Sequence, residues 1–175
     1  FSGYSDMAIG IALLLGFKLP KNFDNPYRAS SLTDFWRRWH ISLSSWLKDY
    51  LYITLGGNKN GKIKQYRNLI LTMLLGGLWH GANWKFVIWG GLHGIVLAIE
   101  KFFGIPEKTK NNPLLSFFTT IITFHFVYLY WILFRTDSLN TAYQMINQIF
   151  FMFNSNIFYQ FITGYKLVCI FILSN

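Results

Sequence analysis

Charge is scarce in this chain, and acidic charge scarcest of all. Only 13% of the 175 residues are charged, with seven Asp and Glu against sixteen Lys and Arg. An ordinary soluble domain is about one quarter charged, so that class is a poor fit. The single cysteine, Cys169, excludes an internal disulfide; within Val168-Cys169-Ile170-Phe171 it reads as a packing residue. No Gly-x-Ser-x-Gly turn surrounds Ser2, Ser5 or the Ser42/Ser44/Ser45 cluster, so an elbow-type serine nucleophile lacks its frame. Asp34 and Asp49 lie on a polar helix face and Asp6 near the start, which leaves paired-carboxylate chemistry without support. The four histidines, His40, His80, His93 and His125, are widely spaced and far from the one cysteine, so no metal is expected.

What is abundant is apolar and aromatic. Hydrophobic residues make up 53% of the chain, and eighteen Phe, ten Tyr and seven Trp are more rings than one small aqueous core can cover. This composition predicts an all-α, polytopic helical membrane protein with interfacial aromatics. The formal net charge of +9 then finds its counter-charge in anionic lipid headgroups rather than in nucleic acid.

Four hydrophobic regions emerge: Phe1 to Phe17, Leu69 to Ile99, Leu114 to Phe134 and Ile149 to Leu173. The first is apolar only from Met7 to Phe17, short of the about 20 residues a span needs. It lacks a signal-peptide pattern, so the chain is expected to be a fragment opening inside a transmembrane helix. The second is too long for one straight crossing. Gly76-Gly77 and Gly81 interrupt it, Gly90-Gly91 and Gly94 mark close packing, and two helical pieces with a break around His80 to Asn83 are expected. The third is the cleanest span, starting after Pro113 and ending at Arg135. The fourth is interrupted by Asn154-Ser155-Asn156, and the chain stops at or just after an apolar run. With no repeat or linker, residues 1–175 read as one partial membrane domain, with hydrophobic C-terminal helices over 114–175.

Between the first two regions, Lys18 to Arg67 holds ten of the sixteen basic residues and only three acids, Asp24, Asp34 and Asp49. The positive-inside rule puts this segment in the cytoplasm. Ser31-Leu32-Thr33-Asp34 offers a helix start with Ser31 or Thr33 as cap. Phe35, Trp36, Trp39, Leu43, Trp46, Leu47, Tyr50 and Leu51 then fall on one arc, with Arg37, Arg38, Ser45, Lys48 and Asp49 opposite. The spacing predicts one continuous amphipathic helix at the membrane face, with His40 on its apolar arc. Leu55 to Lys62 follows as a turn-rich basic loop, and the Lys101 to Asn112 stretch as another.

His80 is the sharpest feature. From Asn68 to Trp84 there is no Asp, Glu, Lys or Arg, and an ionisable group at lipid depth is a functional candidate by default. Desolvation disfavours imidazolium, so a buried ring there stays a proton acceptor. It suits a general base that deprotonates an alcohol attacking an acyl carbon. The competing reading is a core histidine hydrogen-bonded to a carbonyl freed at Gly77 or Gly81. His93, between Gly91 and Gly94, reads as packing, and His125 as structural or lipid-facing.

Asp34-Phe35-Trp36-Arg37-Arg38-Trp39-His40, Trp46-Leu47-Lys48-Asp49-Tyr50-Leu51-Tyr52, Leu55-Gly56-Gly57-Asn58 and Gly76-Gly77-Leu78-Trp79-His80-Gly81-Ala82-Asn83-Trp84 occur in order. Together they resemble the membrane-bound O-acyltransferase family, most closely its bacterial alginate O-acetyltransferase branch. The likeness runs from Phe1 to about Phe103. Members have about a dozen membrane helices, so the resemblance implies a C-terminal part of a multi-pass protein of the bacterial cytoplasmic (inner) membrane. It makes His80 the catalytic residue and His40 the second polar position, with Trp36, Trp39, Trp79, Asn83 and Trp84 lining the substrate passage. It implies no bound cofactor, a cytoplasmic acyl thioester donor such as acetyl-CoA, and a polysaccharide acceptor such as alginate or peptidoglycan. An extracytoplasmic acetyltransferase partner is implied as well. An isolated fragment of such a protein is expected to be inactive. A similar branch moves D-alanine onto teichoic acids.

Two other classes stand beside this reading. One is a transporter or channel with a histidine relay, which would more often carry membrane-embedded carboxylates and a repeat; neither is visible in the sequence. The other is a non-catalytic assembly subunit, which would be indifferent to loss of His40 and His80.

Overall fold

The computed structural model describes residues 2–151, and every regular element among them is helical. Cys169, the Asn154-Ser155-Asn156 interruption and most of the fourth hydrophobic region lie outside the described residues. The chain divides into two units, residues 1–134 and 135–175.

In the first unit, α1 (Ser2–Leu14) leads through an extended stretch and a 3-10 turn, Pro26–Arg28, to α2 (Leu32–Arg38) and α3 (Ile41–Trp46). A π-helical turn, Leu47–Tyr52, continues α3. Then come α4 (Lys62–Trp79), α5 (Trp84–Phe103), α6 (Ile105–Asn111) and α7 (Pro113–Arg135). The described part of the second unit holds α8 (Leu139–Phe151), whose start is capped by Ser138 Oγ accepting from Thr141 N at 3.2 Å.

α5 and α7 are each long and apolar enough to cross a membrane. The α7 bounds agree with the expected Leu114 to Phe134 span. The Leu69 to Ile99 region resolves into α4 and α5 with the break at residues 80–83, as its glycines foretold. The Lys101 to Asn112 stretch is corrected: the last turns of α5 and all of α6 run through it. Pro106 occupies the first turn of α6, where its missing N–H costs nothing.

α4 and α5 lie against each other backbone to backbone. A Cβ built on Gly77 would overlap the carbonyl oxygen of Phe86, and one on Gly90 that of Met73. A Cβ on Gly94 would come within 2.7 Å of the Ile70 Cα. Small residues at such a crossing allow helices to approach closely. The buried cluster of Ala29, Leu32, Phe35, Met73, Leu97 and Val127 then joins α2, α4, α5 and α7.

The expected single helix over Phe35 to Leu51 is corrected. It breaks at Trp39 and His40, and beyond Trp46 it widens into the π-helical turn. Apolar spacing alone could not reveal this, because two short helices with a kink keep most of the same arc.

The cap at Ser31 is as expected: its Oγ accepts from Asp34 N at 3.0 Å. Glu100 was not anticipated. Its carboxylate, buried near the C-terminal end of α5, accepts hydrogen bonds from Leu32 N, from Thr33 N at 2.9 Å and from Thr33 Oγ1 at 2.8 Å. Helix starts leave N–H groups unsatisfied and carry positive dipole charge, and Glu100 meets both demands for α2. Glu100 lies in the last turn of α5, just past the Leu69 to Ile99 hydrophobic region, and its oxygens are engaged in holding α2. Glu100→Ala strands those donors in a buried site and is expected to cost about 2–4 kcal/mol. The check is thermal unfolding of the intact protein in detergent; an unchanged midpoint would contradict this role.

Candidate active site

His40 stands on a kink that several bonds define. Trp39 is extended (φ −104°, ψ 128°) and donates its N–H back to Phe35 O, while His40 takes a left-handed conformation (φ 45°, ψ 54°). That conformation costs a non-glycine residue about 1–2 kcal/mol, so something must hold it. Asn22 does much of this: its carbonyl accepts from Ile41 N at 3.0 Å, and its Oδ1 accepts from Ser42 N and Ser42 Oγ at 3.1 Å each. Asp24 N donates to Arg38 O at 2.9 Å, and Ser44 Oγ donates to Trp39 O at 3.0 Å. Phe23 packs edge-on against Trp39 at 4.9 Å.

His80 stands on a second break. Its N–H donates to Gly77 O, Gly81 N to Leu78 O and Asn83 N to Gly81 O. The Gly77, Leu78 and Gly81 carbonyls at this break are thus taken by the backbone. The His80 ring makes no hydrogen bond among the described residues and sits among rings instead. Its neighbours are Trp79 at 5.0 Å, Phe134 at 5.1 Å and Trp89 at 5.5 Å, the last two close to perpendicular. The reading of His80 as a core histidine satisfied by a Gly77 or Gly81 carbonyl therefore does not hold.

Both breaks open on one cavity of about 580 Å³, lined by Tyr27, Trp36, Trp39, His40, Leu43, Trp79, His80, Trp89, Trp131 and Phe134. Of the residues singled out in the sequence, His40, His80, Trp36, Trp39 and Trp79 come together here. Asn83 and Trp84 do not line it. The Asn83 side chain caps α5, accepting from Lys85 N at 3.1 Å, and Trp84 is 73% exposed at the first turn of that helix.

Sequence reasoning missed Tyr27, Leu43, Trp89, Trp131 and Phe134 as lining residues. Phe86, Trp89 and His93 recur at helical spacing on α5, and Val127, Trp131 and Phe134 on α7, so a face was detectable on each helix. Which faces met was not.

His93 is buried, as a packing residue should be, between Trp89 at 4.5 Å, Tyr130 at 4.7 Å and Trp36 at 5.2 Å. His125 bonds its own helix, with Nδ1 2.7 Å from Ile121 O. Among the described residues, no three His, Cys, Asp or Glu side chains are grouped as a metal would require.

Burial pulls the His80 imidazole below its ordinary pKa, and the nearby His40 adds a smaller push in the same direction. His40 is lowered by burial too, against a smaller opposing effect of its own backbone. Burial thus favours the neutral form of both rings.

A second pocket of about 440 Å³ shares Trp36 with the first. Its lining is mixed: Ile41, Leu47, Leu69, Met73 and Leu97 form an apolar wall, and Arg37, Lys48 and Lys101 bring positive charge beside Ser44, Ser45, Tyr52 and Gln65. The π-helical turn supplies Lys48 and Tyr52 to it. Such turns are rare and frequently mark functional sites.

Residues 1–134, which contain both histidines and the entire cavity lining, match the membrane-bound O-acyltransferase family. The chain belongs to that family. Its relatives are membrane proteins. They include a probable alginate O-acetylase of Pseudomonas syringae pv. tomato, 55% identical over 150 residues, which cover 86% of this chain and 28% of the relative. The peptidoglycan O-acetyltransferase of Helicobacter pylori is 49% identical over 146 residues, 83% of this chain and 28% of that protein. The teichoic acid D-alanyltransferase of Bacillus subtilis is 32% identical over 138 residues, 73% of this chain and 35% of that protein. The chain thus spans about a third or less of the length of each of these relatives.

Proposed function

We propose that this chain carries the acyl-transfer centre of a multi-pass O-acetyltransferase in the bacterial cytoplasmic membrane. The acetyl group comes from a cytoplasmic thioester, and the acceptor is a hydroxyl that leads to an extracytoplasmic polysaccharide. The observation that carries the reading is the meeting of His40 and His80, each on its own helix break, in one aromatic cavity where the His80 ring has no hydrogen bond among the described residues. Unlike His93, which is sealed among rings with its Nδ1 unpartnered, His80 faces an open cavity where a free lone pair can meet a substrate. The higher identity to O-acetyltransferases than to the D-alanyltransferase supports acetyl over D-alanyl transfer.

The acceptor oxygen attacks the thioester carbonyl carbon while His80 takes its proton. His40 donates a hydrogen bond toward the oxygen that becomes negative. The intermediate collapses, the C–S bond breaks, and the sulfur leaves with the proton that His80 returns. The Arg37, Lys48 and Lys101 pocket suits the phosphates of a carrier such as acetyl-CoA. The neutral acetyl group then reaches the aromatic side past Trp36. The final acceptor polymer, alginate or peptidoglycan, is reached directly or through an extracytoplasmic acetyltransferase partner.

The test uses membranes holding the intact protein and a radiolabelled acetyl thioester. Label covalently attached to an acceptor is the expected result. Label accumulating inside vesicles with no covalent product would replace this reading with a histidine relay for transport.

A further inference from the structure

Two voids meet at one side chain. Among the described residues, Trp36 alone belongs to the lining of both the histidine cavity and the basic pocket. Its indole is held edge-on by three rings: His93 at 5.2 Å and 85°, Phe35 at 5.8 Å and 84°, and Trp89 at 5.9 Å and 74°. Its Nε1 is buried and has no hydrogen-bond partner. An indole N–H usually finds a partner when buried, so no polar tether fixes this ring in place. Trp89 and Trp131 also lack an Nε1 partner, but only Trp36 joins that lack to a place in both linings, so its displacement breaks no hydrogen bond at Nε1 and opens one void to the other.

Resting on the acetyl-transfer reading above, we infer that Trp36 is the partition that decides between transfer and hydrolysis of the donor. In its present position it closes the histidine cavity toward the basic pocket. A thioester arriving from the basic pocket displaces it, and the arm fills the gap. Water from the cytoplasmic side is kept from the carbonyl beside His80. Excluding water in this way protects reactive groups from side reactions. Without the indole the two voids join, and His80 serves water as readily as the proper acceptor. The water oxygen then bonds to the carbonyl carbon and its proton goes to His80. The C–S bond breaks, the sulfur takes a proton, and acetate is released.

The experiment is a ratio, because a ratio is insensitive to how much protein folds. The intact protein, Trp36→Ala and Trp36→Phe are supplied with labelled acetyl-CoA in membranes. Free acetate and acceptor-bound acetyl are counted separately. Acetate relative to transferred acetyl is expected to rise about tenfold or more in Trp36→Ala, and less in Trp36→Phe. If Trp36→Ala does not accumulate, the Trp36→Phe ratio alone decides, and it must exceed that of the unsubstituted protein. An unchanged ratio with transfer still measurable overturns the partition and leaves the acyltransferase reading standing. No transfer and no acetate from the unsubstituted protein overturns both.

Discussion

Replacing His80 by alanine in the intact protein is expected to lower acetyl transfer by about 10²–10⁴-fold, the usual worth of a positioned general base. Membrane abundance should stay as it was. The reason lies in what the ring touches: it packs edge-on against Trp79, Trp89 and Phe134 and holds no internal hydrogen bond among the described residues. Its removal strands no buried donor or acceptor. Transfer that persists at the unsubstituted rate would reject His80 as the base and favour an assembly role.

His40→Ala mixes two effects, since it removes an imidazole and alters a left-handed backbone position. His40→Gly separates them, because glycine adopts that conformation at no steric cost. Both variants are expected to lose transfer alike, by about 10²–10³-fold if the ring stabilises developing charge. The pH profile has a definite sign as well. A base must be neutral to work, and burial lowers the His80 pKa. The acidic limb of kcat/KM should therefore lie below the ordinary histidine value of about 6.5. A limb above that value would contradict a desolvated base.

Gly90→Ala and Gly77→Ala are expected to prevent stable folding, although each adds one carbon. At either position the new atom meets backbone of the facing helix, the Met73 carbonyl in one case and the Phe86 carbonyl in the other. A carbonyl inside a helix cannot turn aside. α4 and α5 must separate along their length, and the loss should reach or exceed about 3 kcal/mol, the upper end of ordinary overpacking costs. Gly91→Ala is the control. Its added carbon would lie 3.3 Å from Leu74 Cδ2, the tip of a side chain that can move. Accumulation in membranes and unfolding in detergent report the difference. Equal behaviour of Gly90→Ala and Gly91→Ala would mean that the helices are not packed this closely.

These contrasts mark what a sequence can disclose. The α7 span, the Ser31 cap and the break at His80 follow from runs, caps and glycines within a few residues of the feature, and all were legible. The meeting of Gly77 with Gly90 was half legible: the glycines were visible as packing signals, their pairing was not. The kink at His40 was hidden because Asn22 and Asp24, some 15 to 20 residues earlier, supply the partners that outbid helix continuation. Glu100 was hidden for the same reason on a larger scale, its partners lying 67 and 68 residues away. Asn83 and Trp84 share a motif with His80, yet once α5 begins they turn to its cap and its exposed first turn. Adjacency in the chain suggested a common wall that the helix start divides.

α5 carries the His80 junction at one end and the Glu100 grip on α2 at the other. Over 20 residues this makes it a strut of about 30 Å that ties the His80 break to the start of the helix leading to the His40 kink. A rod of fixed length tilts when the surrounding lipid sheet is thinner or thicker than itself. A tilt of α5 would carry the His80 break and the start of α2 together, because both are fastened to the same rod.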